Sequence, residues 1–179
     1  MKKLFTILPL VLILCFIVGC QDKAAKAELE EFKAQAEVEE QNKALVKRFF
    51  EEIDKENYEF IREICAPEFA SYYPSGVTEP MSLEAQLEQT KMTQKAISDR
   101  VHNIEELIAA GDKVIVRGNI KFTHTSELMG VPATGIKVEA SAIYIFSIKD
   151  GKAVEMREEF DMLGAMMQLG MELKPREEK

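Results

Sequence analysis

Three cysteines and two histidines are the residues of this 179-residue chain whose types most directly promise chemistry. Their placing narrows it. Cys15 sits inside an apolar run, and Cys20 closes that run after Gly19. Cys65 stands alone in the remainder, so no intramolecular disulfide forms once the run is removed. Its neighbours Ile64 and Ala66 mark a small buried residue rather than a nucleophile, and structural cysteines in apolar surroundings are inert. His124 follows a strand pattern; His102 lies in an earlier one and reads as exposed. Two histidines and one such cysteine fall short of a zinc set. The chain has no Gly-rich phosphate loop and no nucleophile beside a base, so neither a metal nor a cofactor is expected.

Cys20 carries a different chemistry. Lys2 and Lys3 open the chain, and an apolar run from Leu4 to Val18 follows, broken only by Thr6 and Pro9. A charged start, a short apolar stretch and small residues at its end make a secretory leader. The run has about 15 residues, against roughly 20 for a free-standing transmembrane helix. Ile17-Val18-Gly19-Cys20 resembles the cleavage and lipidation box of bacterial lipoproteins. Cleavage before Cys20 and acylation of its thiol are therefore expected, with two or more acyl chains holding the protein to a membrane. An uncleaved N-terminal anchor is the other reading. Both put the domain outside the cytoplasm, attached to the cell-envelope membrane.

Charge excludes one class of partner. The whole chain carries −8, and loss of Lys2 and Lys3 makes the mature form more acidic still. Such a chain is repelled by nucleic acid and by anionic lipid. The expected organisation is a leader over 1–19, then a lipidated start and spacer over 20–41. One domain over 42–171 and a charged tail over 172–179 complete it. The spacer is rich in Ala, Glu, Lys and Gln, which suits a solvated helix; a flexible first stretch is the alternative. About 130 residues make one ordinary domain with one core.

The elements that must position any site show in the periodicity. Ala44, Leu45, Phe49 and Ile53 recur at helical spacing, predicting a helix over Asn42–Lys55. Phe60, Ile61 and Ile64 predict a short second helix that ends before Pro67. Pro74, Gly76 and Pro80 mark a loop over 71–80, and Ser82 caps a third helix that runs to about Ile97. The period then changes to 2. Strands are predicted over 101–109, 114–122, 138–148 and 153–160, with turns at Gly111-Asp112 and Asp150-Gly151 and a loop over 130–135. A short Met-rich helix over 162–169 closes the chain. Helices followed by an antiparallel meander make an α+β domain. A long curved antiparallel sheet, with three helices on one face, leaves a cavity where the helices cannot fill the bend. Concave apolar mouths of that kind are the default ligand sites.

Several stretches in this order carry a resemblance. They are Ala44-Leu45-Val46-Lys47-Arg48-Phe49-Phe50, Ala66-Pro67-Glu68-Phe69 and Ala110-Gly111-Asp112-Lys113-Val114. Thr123-His124-Thr125-Ser126-Glu127, Gly130-Val131-Pro132-Ala133-Thr134-Gly135 and the ending Glu158-Glu159-Phe160-Asp161-Met162-Leu163-Gly164 follow. From Ala44 to Gly170 the chain resembles the SnoaL-like family, the polyketide or ester cyclases within the cone-shaped fold of nuclear transport factor 2. The resemblance implies a cone fold, a buried pocket and, often, homodimers. It also implies intramolecular aldol closure without metal or cofactor, with an aspartate near the end of the last strand as general acid/base. Asp161 matches that position, and Met162, Leu163, Met166 and Met167 beside it suit a carboxyl with a raised pKa. Asp161 equally suits the cap of the helix that follows. His124 matches a histidine the family often has at the pocket, where a neutral imidazole relays a proton; hydrogen bonding to the next loop is its alternative.

The chain departs from the family pattern at Tyr72 and Tyr73, and at Arg157 where a tryptophan is common. Tyr72 and Phe160 are read as lining the pocket, with Arg157 binding an anionic group there or pairing with Glu155 or Glu159. Three functions follow: a tethered module that binds a small hydrophobic molecule, a cofactor-free cyclase or isomerase, and an accessory scaffold.

Overall fold

A computed structural model describes residues 4–174, with side chains from residue 23 onward. The side chain of Cys20, the side chains of the leader and the last five residues of the charged tail lie outside the described part. The chain divides into two compact units at Val38/Glu39. The first lies within α1 (Leu4–Asp54), which takes in both the expected spacer and the predicted first helix of the domain. The domain forms around its last turns, where Val46, Phe49, Phe50 and Ile53 recur at three- and four-residue spacing and are buried together.

Asn57 caps α2 (Tyr58–Ile64) by accepting the Phe60 N–H. The chain then turns directly into β1 (Cys65–Tyr72). After the short β2 (Met81–Ser82), the Ser82 hydroxyl caps α3 (Leu83–Gln94) by accepting from the Ala85 N–H. Four long strands follow: β3 (Ile97–Ala110), β4 (Lys113–His124), β5 (Lys137–Lys149) and β6 (Lys152–Phe160). A short α4 (Met162–Gln168) ends the described fold.

The six strands form one curved sheet in the order β2-β1-β6-β5-β4-β3. The predicted meander is present from β3 to β6. One edge differs from the fully antiparallel expectation, because β1 runs parallel to β6. The reason is topological: β1 precedes α3 and the whole meander, so it reaches β6 by a long crossover, in the direction of β6. The α+β architecture with helices on one face stands.

Alternation along β4 and β5 sends Val114, Val116, Phe122, Val138, Ala140, Ala142, Tyr144 and Phe146 inward. Phe146 packs edge-on to Phe49 and Phe50, joining sheet to helix. Bending comes at Gly118. An added Cβ there would lie 2.1 Å from the Asn103 carbonyl oxygen, so only glycine lets β3 approach β4 this closely. The β3 register shifts next to it, between Ile104 and Glu106. Bulges increase local bend and twist, and here the result is a sheet that curls over the helices rather than lying flat on them.

Candidate functional site

Helices and curled sheet enclose a cavity of about 380 Å³. Phe49, Phe50 and Ile53 of α1, Leu87 of α3, Ile120 and Phe122 of β4, Phe160 of β6 and Met166 of α4 give it mostly apolar walls. On the sheet, four polar side chains interrupt them: Arg100, His102, Tyr144 and Glu158. That combination of apolar walls and few polar groups is the usual composition of a small-molecule site.

Glu158 is the notable member. It shares the inner face of β6 with the buried Met156 and stands directly across from Tyr144 of β5. Burial pushes its carboxyl up to about 7; the nearby Tyr144 hydroxyl and Arg100 guanidinium oppose that shift only in part. A carboxyl that titrates near neutrality can both give and accept a proton at working pH. Burial, and then the Glu158 charge, raise the Tyr144 phenol well above its ordinary range. Its hydroxyl is buried without a hydrogen bond of good geometry, so it stays a protonated donor beside the acid.

His102 is the second. Asp54, at the end of α1, grips it twice: Oδ2 accepts the His102 backbone N–H at 2.8 Å, and Oδ1 lies 2.6 Å from Nδ1. Arg100 completes the group, with Nε 3.4 Å from the same Oδ1 and Nη2 donating to the Ile53 carbonyl. The imidazole packs against Phe50 and edge-on to Tyr144. Burial lowers its pKa, while Asp54 pulls the other way.

The sequence reading takes His102 as exposed, and the structure overturns that. Counting back by twos from the inward Leu107 and Ala109 puts residue 102 on the outer face. The register shift between Ile104 and Glu106 inverts the count, so Arg100 and His102 face inward and Val101 outward.

The residues singled out from sequence scatter. Phe160 lines the cavity. Asp161 does not: it is exposed, its Oδ1 accepts the Gly164 N–H at 2.8 Å, and it caps α4. A Cβ at Gly164 would meet Asp161 Oδ2 at 2.1 Å, so the glycine makes room for that cap. His124 is fully buried but outside the cavity wall, with Nδ1 3.0 Å from Thr134 Oγ1 and Nε2 unpartnered. Its backbone bonds to Gly135 and Ile136 pin the loop that begins after β4. Arg157 and Tyr72 meet each other rather than the cavity. The guanidinium lies 3.9 Å over the Tyr72 ring, and bonds to Glu155 and to the Ser75 carbonyl. Tyr73, next in the chain, lines the cavity instead. Cys65 is buried, and burial pushes its thiol up to about 12, too high for a nucleophile at neutral pH. Among the described residues, no cluster of His, Cys, Asp and Glu is arranged to hold a metal ion.

Residues 44–169 match the sequence pattern of the SnoaL-like polyketide cyclases. Solved structures agree on the fold. IdmH from Streptomyces antibioticus is 26% identical, superposes with a TM-score of 0.66, and is matched over 99% of its length and 73% of this chain. AclR from Streptomyces galilaeus is 24% identical with a TM-score of 0.67, over 97% of its length and 74% of this chain. A SnoaL-like polyketide cyclase from Agrobacterium tumefaciens is 15% identical with a TM-score of 0.59, over 95% of its length and 70% of this chain. No curated protein sequence matches the chain.

Proposed function

Because the chain belongs to the SnoaL-like polyketide cyclase family, we propose that it holds a small, mostly apolar molecule in the cone cavity and moves a proton on it through Glu158. The observation that carries this reading is the Glu158 carboxyl, held near pKa 7 against an apolar wall. An ordinary surface glutamate is fully ionised at pH 7 and a weak base. A buried one is a stronger base and, in its protonated half, an acid. The chemistry that fits is proton removal next to a carbonyl, with the same group returning the proton elsewhere. That is the elementary step of cyclisation and isomerisation, and it needs no cofactor.

The ring opening of 5-nitrobenzisoxazole tests it, because loss of one ring C–H proton breaks the N–O bond and releases a coloured phenolate. We expect turnover that rises through pH 7 with Glu158, and a loss of about 100-fold or more in Glu158→Gln, the usual share of a general base. A Glu158→Gln protein that is as fast as the wild type removes the mechanism.

The reading includes a compartment. The charged start, the short apolar run and Gly19-Cys20 support export and lipid attachment at Cys20. In this reading the cavity lies where carrier-bound intermediates of the cytoplasm do not reach, which favours a free small molecule as the ligand. Cys20→Ala is expected to move the protein from the membrane to the soluble fraction on cell fractionation. A mature-sized variant that stays with the membrane is the contrary result.

A further inference from the structure

We propose that His102 is a hydrogen-bond acceptor built to select the cavity's ligand, so that the ligand is an apolar molecule carrying a hydroxyl that donates to it. The inference rests on the cavity reading above and adds the ligand's polar group.

The imidazole has only one way to satisfy Asp54. A carboxylate accepts hydrogen bonds and does not donate them, so the ring nitrogen 2.6 Å from Oδ1 carries the proton. The second oxygen holds the backbone N–H of the same residue, which fixes the ring's position as well as its tautomer. Nε2 is then the lone-pair nitrogen. Among the described residues it has no hydrogen-bond partner, and His102 stands on the cavity wall. The other polar groups on the sheet side of the wall have different duties. Arg100 offers donors only, and the Tyr144 phenol stays protonated. Glu158 is divided between its two forms near neutral pH. On the sheet side of the wall, His102 is therefore the group whose free position, in its neutral form, is an acceptor only. Burial keeps the ring neutral and so preserves that lone pair. An apolar ligand without a donor leaves Nε2 desolvated and unpaired, and a buried unpaired acceptor is penalised. A site of this kind rejects the analogue that lacks the hydroxyl.

The test compares 2-naphthol with 2-methoxynaphthalene, two probes of like shape of which only the first donates. Titration calorimetry on the full chain is expected to give naphthol an affinity at least about tenfold higher, the value of one such bond. In His102→Phe the ratio is expected to fall to about one while the ether still binds, which also shows that the variant is folded. Nitrogen-15 spectra of the wild-type protein supply a signature that packing alone does not give. His102 Nε2 is expected unprotonated in the free protein, and its resonance moves upfield with naphthol and not with the ether. Equal affinities in the wild type, a ratio that survives in His102→Phe, or an Nε2 that already carries the proton each overturn the role of His102 and leave the cavity reading standing. Binding of neither probe overturns both.

Discussion

Phe146→Ala lowers the unfolding free energy by about 3–5 kcal/mol, the range for deleting a large aromatic from a packed core. Phe146 has no exposed surface and sits on β5, a central strand of the sheet. Its ring centroid is 5.2 Å from that of Phe49 and 5.8 Å from that of Phe50, so it is a central contact through which α1 is held on the sheet. Across the ladder it pairs with Val114 and Met156, both buried, and neither branches far enough to fill the space a missing ring leaves. The loss is a large share of what a domain of this size has, since native stabilities run to about 5–15 kcal/mol. Urea unfolding measures it. The adjacent Ile145 gives the control. It points to the other face, 37% exposed, and Ile145→Ala is expected to cost about 1 kcal/mol or less. Equal losses at the two positions contradict the alternation on which the whole sheet assignment rests. Phe146 also supports the site from behind, because Phe49 and Phe50, which it braces, form part of the cavity wall.

That alternation was legible without coordinates because it is local. β4 and β5 bury every second residue for most of their length, and Asp150 and Gly151 both adopt the left-handed backbone their turn requires. Ser82 and Asp161 cap their helices as their types suggest. What is not local was not legible. Cys65–Tyr72 contains Pro67 and lacks a clean alternation, and it is a strand because β6 offers it a parallel partner more than eighty residues later. The extra residue near Glu105 has no signature of its own, yet it decides that His102 faces the cavity.

The site was hidden by the same physics. Glu155, Glu158 and Glu159 stand close together in the sequence, and clustered carboxylates ordinarily mark a solvated face. Only the period of β6 separates them: Met156, Glu158 and Phe160 share the inner face, while Glu159 turns outward to hold Ser75. Asp161 is singled out because it matches the aspartate of the SnoaL-like family near the end of the last strand, with Met residues after it. The strand's last inward position is Phe160, so the chain leaves the sheet before Asp161 can face inward, and the helix takes its carboxylate as a cap. Arg157 and Tyr72 lie on positions adjacent to inward-facing ones, and find each other on the opposite side.

Glu158 also makes the protein lose stability as pH rises through the acidic range, the reverse of most carboxylates. The folded-state value near 7 lies above the ordinary 4.5 that the unfolded chain has. Between those two values the native state binds more protons than the unfolded state. Stability therefore falls with each step of pH across this window, is full below about 4.5, and levels off above about 7. At 1.36 kcal/mol per unit the shift amounts to about 3 kcal/mol at most. Glu84 has the opposite sign: Arg62 holds its carboxyl below the usual range, so what it adds is lost only as pH falls further. The two effects occupy different windows, and urea midpoints taken from pH 4 to pH 8 separate them. Glu158→Gln keeps the shape of the side chain and cannot ionise, while His102, whose pKa burial lowers and whose contribution therefore rises with pH, is common to both proteins. The wild-type midpoint minus that of the variant is expected to fall across the window, with the variant the more stable protein at pH 8. A difference between wild type and variant that does not fall from pH 4.5 to 7 means that Glu158 is ionised throughout. Proton transfer by this residue requires the descending slope. A carboxyl that costs the fold nothing at pH 8 is one already paired and solvated, and such a group has no reason to take a proton from carbon.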